Sequence, residues 1–187
     1  MPDATAAADS GGLTRGARLG LLALLVVYGL MCFFQPNTGH IIDNVNLAIH
    51  ETGHLVFSPF GEVIQFAGGT LFQLIVPAAF LVYFLKFAPE RDEFAASLML
   101  WWIAVNLWNI GIYMADARAQ ELPLVGGGEH DWAYLLGRAG LMRQDTALGS
   151  TVRGLGMLVF LFAVVRGFQA ANRLPAPDEV DGGDAAR

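Results

Sequence analysis

Four long apolar runs that carry almost no charge constrain the fold of this chain of 187 residues more than any other feature. They cover residues 19–34, 68–87, 94–114 and 151–168. About 20 apolar residues in a helix are enough to cross the hydrocarbon core of a bilayer. Charged residues make up only 15% of the chain, against about 25% in ordinary soluble domains. The sequence therefore predicts an integral membrane protein whose runs are membrane helices.

The two ends of the chain differ in composition from the middle. Residues 1–16 are mostly small or polar and residues 173–187 are acidic, so we expect a disordered head and tail around a membrane domain of residues 17–172. The formal net charge of −6 argues against nucleic acid as a partner and leaves the lipid bilayer. Arg15 and Arg18 precede the first run, which by the positive-inside rule predicts a cytoplasmic N-terminus in the plasma, or inner, membrane.

An H-E-x-x-H motif lies between the first two runs, at His50, Glu51 and His54, in a predicted helix over residues 41–57. Positions four apart share one face of a helix, so the two imidazoles could bind one metal ion. Glu51 could then reach a water on that metal and act as a general base. A charge in an apolar membrane helix costs about 2.5–3.5 kcal/mol, which favours metal binding over two histidines that are merely satisfied in a buried helix. This helix is the possible fifth of an all-α bundle of about four to five membrane helices.

A zinc site needs at least one further protein ligand, and three later residues compete for that place. His130 ranks first, because it follows three glycines whose backbone can approach another element closely. Asp116 ranks second, since it ends an apolar run, where its ordinary role is to mark the membrane boundary. Asp131 ranks third, as a ligand, as a hydrogen-bond partner of a ligand histidine, or as the cap of the next helix. Zinc is the predicted metal, although histidine with carboxylate also suits iron or manganese.

Three amide side chains stand inside the later apolar runs, at Gln73, Asn106 and Asn109. Each could contact a substrate or support the metal site by a hydrogen bond. The alternative for all three is a hydrogen bond between membrane helices, which is the more ordinary role of such residues.

The combination of these motifs resembles a known family. An H-E-x-x-H in a hydrophobic helix, a glycine-opened run and a later acidic residue at a helix end resemble the site-2 protease group of intramembrane zinc metallopeptidases. The stretches "HETGHLVFSPFGE", "GGTLFQLIVP", "ADA" and "HDW" are also similar to a group of small bacterial membrane proteins of that kind, over roughly residues 40–140. The resemblance implies that His50 and His54 are zinc ligands, that Glu51 is the base, and that the substrate is a peptide or a membrane protein. It also implies an aspartate ligand in a later membrane helix, within an L-D-G type motif, from which "MADA" departs.

Two other functions compete with a peptidase. A non-proteolytic membrane protein could keep the metal for structure, sensing or transport, although a transporter would need further ionisable residues along its path. A membrane scaffold without any metal is the third possibility. The metal content of the purified protein separates the scaffold from the other two.

Overall fold

The computed structural model describes residues 13–36, 39–124 and 128–173. The predicted head and tail lie outside these residues, apart from residues 13–16 and Arg173. The first helix begins at Arg15, two residues before the predicted start of the membrane domain.

The described residues form an all-α bundle without strands, which confirms the predicted fold class. Four of the six helices, with the turns that extend two of them, are long and apolar enough to cross a membrane. In order along the chain the helices are α1 Arg15–Phe34, α2 Ile41–Phe57, α3 Glu62–Val82, α4 Glu93–Ala115, α5 Asp131–Ala139 and α6 Asp145–Asn172. A π-helical turn, Tyr83–Phe87, extends α3. The H-E-x-x-H helix is α2, with the predicted bounds.

Helices α1 and α4 run in the same direction, as two contacts along their length show. Trp101 donates its indole N–H to the Leu25 carbonyl at 2.9 Å. Further along both helices, the rings of Trp108 and Phe33 lie 5.1 Å apart, centroid to centroid. The C-terminal ends of α1 and α4 therefore lie at one end of the bundle.

Helices α3 and α6 run in the opposite direction to α4. A short turn joins α3 to α4, and in it the Asp92 amide donates to the Phe84 carbonyl at 3.1 Å. Helix α6 packs closely against α4, since a Cβ on Gly111 would lie 2.6 Å from the carbonyl oxygen of Gly149. Arg166 near the end of α6 bonds Glu93 at the start of α4, at 3.1 Å. Helix α3 thus begins at the end of the bundle where α1 stops.

Helix α2 therefore enters and leaves on the same side of the four candidate spans, and it does not add a fifth crossing. It packs antiparallel to α3 at a crossing made by two glycines. A Cβ on Gly68 would lie 2.7 Å from the carbonyl oxygen of Gly53, and a Cβ on Gly53 would meet the Gly68 carbonyl in turn. Only glycine on both helices permits this approach, which brings the histidine face of α2 against α3.

Candidate metal centre

Three side chains with metal-binding atoms converge between α2 and α5. Asp131 Oδ2 lies 2.8 Å from His50 Nε2 and 3.3 Å from His54 Nε2. The three donor atoms all lie within 4.8 Å of one another. Ligands at the Zn–N distance and the tetrahedral angle would be separated by about 3.3 Å, so the group could hold a metal ion with little adjustment. His50 and Asp131 are buried and His54 is half-buried.

The second nitrogen of each histidine is held by an oxygen acceptor. His50 Nδ1 lies 2.9 Å from Gln73 Oε1, and His54 Nδ1 lies 2.8 Å from the Gln65 carbonyl oxygen. A carbonyl oxygen only accepts, so Nδ1 carries the proton of each neutral ring. Each Nε2 then presents a lone pair to the shared centre, as ligand histidines with an outer acceptor do.

The charge pattern of this centre calls for a cation. Two Nε2 lone pairs beside a carboxylate oxygen repel each other unless a proton or a metal ion lies between them. Without metal, the hydrogen bond to Asp131 raises the pKa of His54 from 6.5 to about 9, although burial acts to lower that pKa. Burial acts to raise the pKa of Asp131, but hydrogen bonds from His50 and His54 outweigh it, and the pKa is lowered. The donor set could therefore hold a metal cation.

A chain of amides behind His50 sets the position of its ring. Gln73 turns its Nε2 towards the side-chain oxygens of Asn106 and Asn109, at 3.5 and 3.4 Å, which leaves its Oε1 for His50. Pro77 lies four residues after Gln73 and has no N–H, so the Gln73 backbone carbonyl lacks its helical donor. Asn106 supplies one instead, because its Nδ2 donates to that carbonyl at 2.9 Å. All three amides thus make hydrogen bonds between helices, and Gln73 also contacts His50.

Gly69 gives the His50 ring its room. A Cβ at Gly69 would lie 2.5 Å from both Cε1 and Nε2 of His50. The imidazole therefore lies directly on the backbone of α3, between Gly69 and the metal-binding centre.

A cleft with two lobes opens on the metal centre. The smaller lobe, of about 280 Å³, contains the three donor residues and three further carboxylates, Glu51, Glu62 and Glu129. The larger lobe, of about 360 Å³, has a more apolar wall that includes Leu47, Ile112 and Pro123. Four residues line both lobes: His50, Glu51, Tyr113 and Leu124. Glu51 is exposed, so its carboxylate is accessible to a molecule in the cleft.

The structure places His130 and Asp116, the first two candidates for the third ligand, away from the two histidines. His130 is the N-cap of α5, where its Nδ1 accepts from the Ala133 amide at 3.3 Å. Its side chain is fully buried and its Nε2 lies 3.5 Å from Asp116 Oδ2, at the limit of a hydrogen bond. Burial lowers the pKa of His130 despite this carboxylate. Asp116 accepts the Glu121 and Leu122 amides at 3.0 and 3.1 Å and so holds the loop beside the larger lobe.

Asp131, ranked last, is the carboxylate that reaches the histidines. Neighbouring residues at a helix start point in directions about 100° apart, so His130 and Asp131 cannot both face α2. The two residues exchange the expected roles, since His130 caps α5 and Asp131 joins the metal-binding group. The Gln65 carbonyl and Tyr113 also contact the two histidines, and neither was predicted from the sequence. No side-chain signal marks a backbone carbonyl, but Tyr113 does stand one helical turn after Asn109 on the same face.

Fold and site together define a helical protein with four candidate membrane spans and a buried group of two histidines and an aspartate that could bind a metal ion. No family model, curated protein or solved structure matches this chain.

Proposed function

We propose that this protein is a membrane-embedded zinc peptidase that hydrolyses peptide bonds in a peptide or membrane-protein substrate. The observation that carries the proposal is the convergence of His50, His54 and Asp131 in the same cleft as Glu51. Two histidines and one carboxylate form a common ligand set of catalytic zinc and leave one position open. The donor set and the accessible carboxylate of Glu51 support the proposal. The resemblance to site-2 proteases agrees with the proposal.

The roles of the chain's own residues follow from their places. A zinc ion in the group would polarise the scissile carbonyl and lower the pKa of a water molecule. Glu51 takes a proton from the attacking water as the bond from water oxygen to carbonyl carbon forms. The C–N bond then breaks, and Glu51 gives the proton to the leaving amine. The two lobes meet at Glu51. Each lobe accepts the part of the substrate that lies on one side of the scissile bond.

The lobes differ in the side chains they would accept. Glu62 and Glu129 in the smaller lobe favour a basic side chain, and no Lys or Arg is among the described residues that line it. The apolar wall of the larger lobe favours an aliphatic or aromatic side chain.

The distribution of basic residues supports a cytoplasmic N-terminus and a site that opens on the opposite side of the plasma membrane. Among the described residues, six basic residues lie at the end of the bundle remote from the site and four lie at or near the site end. The positive-inside rule assigns the richer end to the cytoplasm. The first group is Arg15, Arg18, Lys86, Arg91, Arg166 and Arg173, and the second is Arg118, Arg138, Arg143 and Arg153. Labelling of single cysteines at Gly128 and Arg91 in intact cells tests the assignment, since only the first should react with an impermeant maleimide.

The metal and the reaction are tested on the protein purified in detergent micelles. Zinc stoichiometry and affinity are measured beside hydrolysis of fluorescein-labelled casein. We expect His54→Ala and Asp131→Asn to lose zinc, and Glu51→Gln to keep zinc but to lose at least about 100-fold in hydrolysis, since it removes the general base. His130→Asn is the matched control, because asparagine is also a good N-cap and should preserve α5.

Several results with these variants would contradict the proposal. Zinc retention in Asp131→Asn together with zinc loss in His130→Asn would show that the third ligand is wrongly assigned. A zinc-loaded wild type that hydrolyses no casein, or a Glu51→Gln variant that is fully active, would contradict the peptidase.

A further inference from the structure

Tyr113 in the last turns of α4 stands where the two lobes of the cleft meet. Its ring packs edge-on against His50, with centroids 6.1 Å apart, and stacks on His130 at 4.1 Å. Its hydroxyl oxygen accepts the backbone N–H of Asp131 at 3.1 Å. The phenol is thus fixed on both sides, and it is hydrogen-bonded to the backbone of the residue that supplies the carboxylate beside the histidines.

The hydroxyl proton of Tyr113 is available to donate a hydrogen bond. A tyrosine hydroxyl has one O–H donor and an oxygen that accepts. The Asp131 amide takes the acceptor side, and within the described ranges no group receives the proton of Tyr113. Because Tyr113 lines both lobes together with Glu51, a molecule in the cleft can receive this hydrogen bond.

We infer that Tyr113 is a further catalytic residue, which donates a hydrogen bond to the carbonyl oxygen of the bond under attack; this inference rests on the proposed peptidase function. As the water oxygen bonds to the carbonyl carbon, the carbonyl π electrons move to its oxygen, and the Tyr113 O–H stabilises that negative charge. When the C–N bond breaks, the carbonyl reforms and the phenol keeps its own proton. The water proton travels through Glu51 to the amine. A preorganised donor of this kind contributes about 10²–10³ in kcat.

A purely structural role makes a different prediction, and Tyr28 provides the matched control. Tyr28 in α1 also accepts a backbone N–H from the first turn of a helix, that of Ile42 in α2, at 3.2 Å. It lines neither lobe of the cleft. Replacing either tyrosine by phenylalanine removes the same kind of structural hydrogen bond, but only Tyr113→Phe removes a donor from the cleft.

The experiment measures inhibitor affinity as well as turnover, on zinc-loaded protein in detergent micelles. N-phosphoryl-Leu-Trp carries a tetrahedral anion in place of the scissile carbonyl, whereas mercaptoacetyl-Leu-Trp offers sulfur to the metal and has no tetrahedral anion. We expect Tyr113→Phe to bind zinc as wild type does and to weaken N-phosphoryl-Leu-Trp by about 10- to 100-fold, the worth of a hydrogen bond to a charged group. Binding of mercaptoacetyl-Leu-Trp should change by less than about 2-fold. The kcat for labelled casein should fall at least about 100-fold with little change in KM, and Tyr28→Phe should show none of these losses.

Three outcomes would overturn the inference. Zinc loss in Tyr113→Phe would show that the phenol only positions Asp131. Equal weakening of the two inhibitors, or equal behaviour of Tyr113→Phe and Tyr28→Phe, would show that the cleft does not use this donor. Failure of the peptidase proposal is separately visible, because the wild type would then hydrolyse no casein although the two inhibitors still report on Tyr113.

Discussion

Gly69→Ala should weaken zinc binding although it changes no ligand and no charge. The added Cβ would lie 2.5 Å from Cε1 and Nε2 of His50. Ordinary carbon contacts begin near 3.4 Å, so the ring has to retreat by about 0.9 Å. A metal–ligand distance tolerates about 0.2 Å. The retreat also strains the hydrogen bond from His50 to Gln73.

The size of the effect follows from these two losses. Disturbing the hydrogen-bond partner of a ligand histidine costs about 10- to 100-fold in metal affinity, and displacing the ligand itself adds to that. We therefore expect zinc affinity to fall by at least about 10-fold. The helix should persist, because alanine is about 0.8–1.0 kcal/mol better than glycine in a helix interior, which offsets part of the about 1–3 kcal/mol cost of overpacking.

The assay is competition for zinc against a chromophoric chelator in detergent micelles, with far-UV circular dichroism to follow the helices. Gly154→Ala in α6 is the control, because nothing lies within 4 Å of a Cβ built there. It should bind zinc as wild type does. If Gly69→Ala also binds zinc within about 2-fold of wild type, at unchanged helicity, then His50 is not held against α3 as described and the reasoning fails.

Two further substitutions separate support of the metal from support of the cleft. Gln73→Leu removes the acceptor 2.9 Å from His50 Nδ1, so zinc affinity should fall about 10- to 100-fold in the same competition assay; unchanged affinity would refute the role of this amide. Asp116→Ala removes the acceptor of the Glu121 and Leu122 amides, so those amides should exchange hydrogen faster by mass spectrometry while zinc affinity stays within about 2-fold. Zinc loss in Asp116→Ala would instead restore it as a candidate ligand.

The amino-acid sequence by itself predicted the all-α fold and two of the three residues in the candidate metal group, although α3 and α6 each begin six residues before the predicted runs. Runs of about 20 uncharged residues have few alternatives to a membrane helix. The spacing of His50 and His54 puts both imidazoles on one face through the 3.6-residue period alone. These properties are local, since each depends on residues within a few turns of one another.

The third donor and the course of α2 were decided only by tertiary structure. Whether His130 or Asp131 faces the histidines depends on how α5 is rotated where it docks on α3, and the stacked rings of Tyr134 and Phe66, 4.0 Å apart, contribute to that docking. A rotation of about 100°, one residue along a helix, exchanges the two. No local pattern contains this angle, because it is set by contacts between segments far apart in the chain.

The sequence left the hydrogen-bond partner of the Gln73 side chain undecided for the same reason. An amide in a membrane helix has to find a hydrogen bond, but which helix supplies it depends on the rotation of α3 against α2 and α4. The contact of Gly53 with Gly68 sets that rotation, and it turns Gln73 towards His50. Because of this glycine contact and the common direction of α1 and α4, the chain enters and leaves α2 on the same side of the four candidate spans. Composition and periodicity specify which segments are helices, whereas close packing between distant segments specifies which of their faces meet.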